Sequence, residues 1–179
     1  MTNTLDTLIA KQDITELVYL YMRALDRWDD QLMRSLFHDD AWCEYGFINC
    51  GANAFIDYCM AALATHEANH HFVGNILIEV EGDEAFGEVY FNAYHKVAGE
   101  AGFEDVIIAG RYLDRYEWRK GKWKFAYRSE RVDWSHTRPC NDPYFQLAPD
   151  GLSGARRDDA VFDRAARYKR RPIPDDDDA

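Results

Sequence analysis

The spacing of apolar residues changes once along this chain of 179 residues, at His71, and that change constrains the fold. Before it, apolar residues from Ile14 to Leu25 recur every three or four positions, as on one face of an amphipathic helix. After it, apolar and polar residues alternate, which is typical of strands with one buried face. Three helices are therefore expected before four long antiparallel strands, and this separation indicates an α+β fold.

The individual elements can be placed from the same patterns. Three helices and one strand-like stretch are expected before His71, the helices over 4–25, 29–37 and 52–66 and the strand-like stretch over 41–48. After it, tight hairpins are expected at Gly82-Asp83 and Lys120-Gly121, with a longer loop over 98–105. A strongly curved sheet whose open side is covered by the three helices would be a half-barrel with a cone-shaped pocket.

The regular pattern ends after Trp134. We expect one domain over 1–134 and a C-terminal extension over 135–179, with one helix over 158–171 and a frayed acidic end over 172–179. The extension is either a disordered appendage or a lid across the pocket mouth. The lid is favoured by its aromatic residues, which include Tyr144, Phe145, Phe162 and Tyr168.

Charge and composition exclude several classes of function. The formal net charge of −11 argues against nucleic-acid binding, which needs a basic face. There is no apolar run long enough to span a membrane and no signal-peptide layout, so we expect a cytoplasmic protein. The irregularly spaced Cys43, Cys50, Cys59 and Cys140 are expected to be buried thiols. Aromatic residues, 15% of the chain, suffice to line a cavity for a ring-bearing ligand, although aromatics more often fill a core.

Residues 66–70 spell H-E-x-x-H, the motif of zinc metalloproteases. The extended motif would need Gly and His where Val73 and Ile76 stand. The motif also needs a helix through its second histidine, but strand alternation begins at once. We therefore interpret it as a chance match at a helix end and expect no metal. The chain also has no G-x-S-x-G motif and no glycine-rich loop opening a helix, so neither a serine nucleophile nor a nucleotide cofactor is expected.

Four stretches together resemble one known family: YMRALDRWD, LFHDDAW, HHFVGN and GRYLDRYEWRKGKWKFAYR. Over about residues 5–134 the chain resembles the SnoaL-like branch of the nuclear transport factor fold. That branch includes polyketide cyclases, scytalone dehydratase, a bile-acid 7α-dehydratase and a hexachlorocyclohexane dehydrochlorinase. The fold also hosts non-catalytic binding proteins, so it does not define a reaction by itself.

The resemblance implies a catalytic dyad of Asp26 and His71. An imidazole whose one nitrogen is held by a carboxylate can accept a proton at the other. The alternatives are an Asp26 that caps the following turn and a His71 that is only structural. His66, His70 and His95 compete for the role, but adjacent strand residues face opposite ways, so only one of His70 and His71 can face the cavity.

The resemblance also implies roles for Tyr21 and Arg128. A Tyr21 hydroxyl in the pocket could donate to a carbonyl or a departing oxygen, but core packing explains the residue equally well. Tyr21 and Asp26 lie about 140° apart around an ideal helix, so they converge only if the helix has ended by Asp26. Arg128 could orient a substrate, or it could pair with Glu130 or Asp114.

These residues lead to a first hypothesis of a lyase that needs no cofactor or metal. It would act on a hydroxylated, aromatic small molecule by loss of water, with retro-aldol loss of formaldehyde, isomerisation and cyclisation as variants of the same proton removal. A non-catalytic ligand-binding or assembly module is the second hypothesis, and it predicts no contact between histidine and carboxylate. The small subunit of a ring-hydroxylating dioxygenase, which requires a large iron–sulfur partner, is the third. The resemblance implies a homodimer or homotrimer formed through the exposed sheet face.

Overall fold

The fold is described from a computed structural model, which covers residues 4–163. The acidic end and most of the helix expected over 158–171 lie outside these residues. Three helices precede the long strands, as expected: α1 (Leu5–Asp26), α2 (Asp30–Leu36) and α3 (Ala52–Ala64). Two short turns follow the sheet: the helical turn α4 (Tyr144–Leu147) and a 3-10 turn (Ala160–Phe162).

Helix α1 begins and ends at clear local signals. The Thr4 hydroxyl accepts a hydrogen bond from the Thr7 N–H, which satisfies one of the free donors of the first turn. At the other end, Trp28 adopts a left-handed φ of 54°, a conformation unusual for a bulky residue. The chain thereby turns sharply away, and the Trp28 indole N–H donates to the Met60 carbonyl of α3 at 2.9 Å. This turn joins the end of α1 to α3.

Six strands form one sheet in the spatial order β2-β1-β6-β5-β4-β3. Their bounds are β1 (Phe37–Glu44), β2 (Asn49–Gly51), β3 (Ala68–Glu81), β4 (Glu84–Gly99), β5 (Gly102–Arg119) and β6 (Lys122–Pro139). The four long strands pair antiparallel, as the sequence predicts. Strand β1 instead pairs parallel with β6, so the sheet is mixed rather than purely antiparallel.

Two strand boundaries differ from the sequence-based expectation. The loop expected over 98–105 is a tight turn, because Gly99 pairs with Gly102. Gly102 has a φ of 131°, which its missing Cβ allows and which lets the chain reverse within two residues. Strand β6 continues past Trp134 to Pro139, since backbone pairing with β5 persists where the alternation of side-chain polarity has already ended.

The helices pack against the inner face of the unclosed sheet. The inward faces of α1 and α3 form one apolar core with the strands, which includes Ile14, Val18, Phe55, Val89 and Phe125. Register shifts interrupt the β3–β4, β5–β6 and β1–β6 ladders, and such irregularities bend and twist strands. The α+β fold and the curved, open sheet are therefore confirmed.

Part of the C-terminal extension lies against the ends of α1 and α3. The Arg27 guanidinium donates to the Ala155 carbonyl at 2.5 Å, and Arg156 donates to the Leu63 carbonyl at 3.0 Å and to the His66 carbonyl. Among the described residues, no helix has the length and apolar character needed to cross a membrane.

Candidate functional site

A cavity of about 370 Å³ lies between the helices and the inner face of the sheet. Its walls are mostly aromatic and aliphatic, with a few polar groups, which is typical of small-molecule sites. The aromatic part comes from α1, α3, β5 and the turn between β1 and β2, and consists of Tyr21, Tyr45, Phe47, Phe55, Tyr58 and Tyr112. The polar part consists of His66, His71, His95 and Glu130.

Asp26 and His71 form a buried pair at this cavity. His71 Nδ1 lies 2.7 Å from Asp26 Oδ1, and the two side chains are only 6% and 9% exposed. The His71 main-chain N–H also donates to both carboxylate oxygens, at 3.1 and 3.0 Å. Because a carboxylate only accepts hydrogen bonds, Nδ1 carries a proton and Nε2 keeps its lone pair. The pair is therefore arranged to accept a proton at Nε2.

Local structure explains why these two residues meet. Asp26 is the last residue of α1, and His71 lies near the start of β3, which packs along that helix. Alternation along β3 turns the two neighbouring histidines to opposite faces, as the sequence predicts, with His71 inward and His70 outward into solvent. The contact expected between Asp26 and His71 is thus present, although they are 45 positions apart.

Two further histidines share this end of the cavity. His66 Nδ1 and His95 Nδ1 lie 2.8 and 3.0 Å from Asn69 Oδ1, and both donate to it. The His95 ring stands edge-on to His71, with 5.1 Å between ring centroids. Burial lowers the pKa of His95 to about 3, with smaller contributions from His71 and His66. His95 is therefore neutral and adds no charge beside the dyad.

Tyrosine hydroxyls occupy another part of the wall. The Tyr21 and Tyr45 hydroxyls lie 3.2 Å apart, and the Tyr45 ring stacks on Phe55 at 4.3 Å between centroids. Burial raises the pKa of Tyr21 and of Tyr45 well above the ordinary value of tyrosine. Both hydroxyls therefore remain protonated. One donates to the other, and the second can donate its O–H into the cavity.

Tyr21 does not converge on Asp26, because α1 continues through Asp26. Five helical positions separate the two side chains by about 140°, so they leave the helix in different directions. Tyr21 faces the cavity, while Asp26 reaches β3 and holds His71. Tyr21 thus contacts the cavity directly, whereas Asp26 contacts it through His71.

Arg128, for which the sequence left open a contact with substrate or a pairing with a carboxylate, is not among the cavity-lining residues. It is fully buried, and its Nε and Nη2 donate to the Asp114 carboxylate at 2.8 and 2.7 Å. The pairing with Asp114, one of the two alternatives considered from the sequence, is the one observed. The Arg128 guanidinium also lies 4.1 Å from the ring centroids of Tyr21 and Tyr112. These two rings therefore lie between the guanidinium and the cavity.

Glu130 lines the cavity, although the sequence suggested it only as a partner for Arg128. Its carboxyl makes no hydrogen bond or ion pair with the described residues. Burial raises the pKa of Glu130 to about 7, and Arg128 partly opposes that rise. Alternation along β6 was the available signal, since Glu130 follows the inward-facing Arg128 by two positions and shares its face.

Neither a metal site nor a cysteine nucleophile is built at this position. His66 lies beyond the end of α3 and His70 is exposed on β3, so the H-E-x-x-H residues are not on one helical face. Within residues 4–163, no group of three histidine, cysteine, aspartate or glutamate side chains could hold a metal ion.

Cys59 lines the cavity as a free thiol, but burial raises its pKa, which keeps it protonated and a weak nucleophile. Of the four cysteines only Cys43 is fully buried, so the expectation of buried thiols holds in part.

A second cavity, of about 450 Å³, lies far from the dyad. It is bounded by the first turns of α1 and by Trp118 and Trp123. Its lining contains Asp6, Asp13 and Asp83 but no histidine, so it lacks a comparable proton acceptor.

The sequence was compared with protein families and with curated proteins. A family described as SnoaL-like domain matches residues 6–129. No curated protein matches.

Solved structures with the same fold include enzymes of different names. A candidate scytalone dehydratase from Novosphingobium aromaticivorans is 24% identical, with a TM-score of 0.66 over 75% of this chain and 91% of the other. A hexachlorocyclohexane dehydrochlorinase, LinA, from Novosphingobium barchaimii is 22% identical, with a TM-score of 0.67 over 75% of this chain and 93% of the other. A candidate aromatic ring hydroxylase from Novosphingobium aromaticivorans is 20% identical, with a TM-score of 0.65 over 73% of this chain and 94% of the other. Likeness at these identities shows the fold alone.

Proposed function

This chain belongs to the SnoaL-like domain family, and from that premise we propose that it is a lyase that removes water from a hydroxylated, aromatic small molecule without a cofactor. The observation that carries the proposal is the buried contact of 2.7 Å between His71 Nδ1 and Asp26 Oδ1 beside an aromatic cavity. A histidine held in this way is an oriented general base.

The first step is proton removal by His71. Asp26 fixes the ring through Nδ1, so Nε2 accepts the proton from a carbon that a neighbouring carbonyl or phenol acidifies. Asp26 also stabilises the imidazolium that results, because the two charges are opposite and shielded from water. The pair thus lowers the cost of forming a carbanion or enolate in the cavity.

The second step is stabilisation of the oxygen on which negative charge develops. Tyr21 and Tyr45 form a hydrogen-bonded pair of neutral hydroxyls on the cavity wall, and the pair keeps one O–H to donate. A fixed donor of this kind favours a developing oxyanion. Arg128 supports the Tyr21 side chain, because its guanidinium lies against the Tyr21 ring rather than in the cavity. We therefore assign Tyr21 a direct role and Arg128 a supporting one.

The cavity lining favours a ring-bearing substrate. Aromatic walls, with few polar groups, bind flat apolar molecules and position them through those few groups. The same base could instead deprotonate a hydroxyl and release formaldehyde by carbon–carbon cleavage. Isomerisation and cyclisation would also start with the same proton removal.

The rival functions receive less support from the site. A non-catalytic binding module predicts isolated polar groups in the pocket, whereas His71 and Asp26 are in contact. The small subunit of a ring-hydroxylating dioxygenase would have no need of a buried proton acceptor beside a cavity. We retain the cytoplasm as the proposed location. The lid role of the C-terminal extension also stays a prediction, supported by the contact of Arg156 with the His66 carbonyl.

The proposal is tested by incubating the protein with a panel of hydroxylated aromatic compounds that include β-hydroxy ketones. We expect loss of water from at least one of them, and a loss of kcat/KM of about a hundredfold or more in both Asp26→Asn and His71→Ala, the scale expected when a general base is removed. His70→Ala is the matched control, because that neighbouring imidazole faces solvent and should leave the rate unchanged.

Two results would contradict the proposal. A wild-type protein that converts no member of the panel would favour a binding module. Activity that survives Asp26→Asn and His71→Ala but disappears with EDTA would point to metal chemistry instead.

A further inference from the structure

Among the residues that the structure describes, Glu130 is the one carboxyl group in the lining of the dyad's cavity. It lies on β6, next to Tyr112 of β5 in the sheet, whereas His71 lies on β3 at the edge of the same sheet. Three strand spacings separate β6 from β3, which is about 14 Å sideways in a flat sheet. Along the strands the two are offset as well, because the pairing leads from Glu130 through Tyr112 and Val89 to Ile76, five positions from His71. Glu130 and His71 therefore lie apart both across and along the cavity, and a substrate that fills the cavity can reach both.

The surroundings of Glu130 suit a carboxyl group that gives up a proton and regains it. Tyr112 of β5 and Cys59 of α3 face it from the packed elements, and both keep their own protons because burial raises their pKa values. Arg128 of its own strand is the nearby positive charge, and it stabilises the ionised carboxylate after the proton has left. The three cavity histidines come from the opposite side, on β3, β4 and the segment that follows α3.

We propose that Glu130 is the general acid of the elimination and delivers its proton to the departing oxygen. This role rests on the lyase function proposed above. Hydroxide is a poor leaving group, so loss of water is fast only when the oxygen is protonated as its bond to carbon breaks. No other carboxyl group of residues 4–163 lines the cavity, and the Tyr21 and Tyr45 hydroxyls hold their protons too firmly for this step.

The bonds and protons of the step balance. His71 Nε2 takes the proton from carbon, and the C–H electron pair becomes the new carbon–carbon double bond. The C–O bond breaks with its electron pair on oxygen, and the Glu130 O–H proton joins that oxygen, which leaves as water. His71 is then protonated and Glu130 is ionised, and exchange of one proton with solvent restores both.

A pair of probes that differ only in the leaving group tests this role. 4-Hydroxy-4-phenylbutan-2-one must lose its hydroxyl with a proton, whereas 4-chloro-4-phenylbutan-2-one loses chloride, which needs none. In Glu130→Gln we expect kcat for the hydroxy ketone to fall about a hundredfold. We expect kcat for the chloro ketone, corrected for the uncatalysed rate, to stay near that of the wild type. Glu130→Asp, which keeps an acid but shortens its reach, should recover part of the loss.

Two further measurements separate an acid role from a structural one. For the wild type and the hydroxy ketone, kcat/KM should fall as pH rises above about 7, because the raised pKa keeps Glu130 protonated only below that pH. That fall should be absent in Glu130→Gln. A difference infrared spectrum of the two proteins should show one protonated carboxyl that titrates near pH 7, with no substrate present.

Each outcome bears on a different claim. An equal loss for both ketones in Glu130→Gln, or no loss for either, overturns the general-acid role while the lyase function stands. A wild-type protein that converts neither ketone, nor any member of the wider panel, overturns the lyase function and the role of Glu130 with it. Circular dichroism spectra of the variants that match the wild type exclude misfolding as the cause of a loss.

Discussion

Arg128 and Asp114 show how a buried charge can support a site without entering it. Burial alone lowers the pKa of Arg128, but the adjacent Asp114 carboxylate outweighs this effect and holds the pKa well above its ordinary value. The Tyr116 hydroxyl also donates to Asp114 at 2.8 Å. One guanidinium N–H group, Nη1, has no hydrogen-bond partner among the described residues and lies among aromatic rings. The pair is therefore expected to keep the tyrosine wall of the cavity in place.

Asp114→Asn should destabilise the protein by about 3–5 kcal/mol, because it leaves a buried guanidinium without its counter-charge. The matched control is Asp133→Asn, which removes the charge from an exposed pair that Asp133 makes with Arg111. That change should cost about 1 kcal/mol or less. Denaturation by urea, followed by tryptophan fluorescence, measures both. Equal losses in the two variants would show that burial adds nothing to the strength of the Arg128 pair.

The sequence predicted some of the site residues and missed others for physical reasons. Asp26 and His71 followed from the family resemblance, whereas strand alternation required only that one of His70 and His71 face the cavity. The same alternation would have placed Glu130 beside Arg128. The Tyr45 hydroxyl could not be placed in this way, because it reaches Tyr21 from an irregular turn that has no period.

At the level of elements, the bend between β5 and β6 shapes the floor of the cavity. The pairing shifts between Ala109 and Gly110, so that β6 contains one extra residue, Asp133. Ile108 and Tyr112, on either side of this bulge, both line the cavity. Bulges of this kind bend a strand and increase its twist. The bulge therefore helps to curve the sheet where the substrate would lie.

Gly110→Ala should disturb this bulge. A Cβ at Gly110 would lie 2.1 Å from the Arg131 carbonyl oxygen and 2.9 Å from Val132 Cα, both of them backbone atoms that cannot rotate away. We expect a loss of about 1–3 kcal/mol, the usual cost of overpacking. Gly74→Ala is the control, because a Cβ there meets no atom within 4 Å. Thermal unfolding followed by circular dichroism measures both, and similar midpoints for the two variants would contradict the steric argument.

The sequence predicted the elements better than their pairing. The helical period over 4–25 and the two hairpins at Gly82 and Lys120-Gly121 are local signals, and the structure confirms them. The parallel pairing of β1 with β6 joins segments more than 80 positions apart, and no local pattern encodes it. The sequence did not predict the tight turn after Gly99, because the strands pair there through main-chain groups. Such pairing does not require any pattern of side-chain polarity.

At the scale of the whole molecule, the outer face of the sheet carries an unusual share of exposed apolar side chains. Cross-strand partners share a face, and the register places five large apolar residues of β3, β4 and β5 on the side away from the helices. They are Phe72, Leu77, Phe86, Tyr90 and Leu113, and all are exposed. The Arg111–Glu88 ion pair lies among them on the same face, so the surface mixes apolar and charged groups. Exposed apolar side chains grouped in this way commonly mark contact surfaces between proteins.

We therefore predict that the protein is a homodimer or homotrimer that associates through this face. Phe72→Glu combined with Leu77→Glu should shift it to a monomer, because burying two carboxylates in an interface is unfavourable. Leu5→Glu, at an exposed position on α1, is the control and should leave the assembly intact. Size-exclusion chromatography with light scattering gives the mass of each. A wild-type protein that is monomeric at micromolar concentration would contradict the prediction.

The main-chain N–H of residue 71 donates to Asp26, so the contact between β3 and α1 does not depend on the reactive imidazole. Every amino acid except proline supplies that N–H, so β3 stays tethered to α1 even when the imidazole is gone. A chain with alanine at position 71 is thus a scaffold that can hold an intact reactant, and it is suited to trapping the complex for crystallography. The side chain at position 71 could also change during evolution without loss of this contact between β3 and α1.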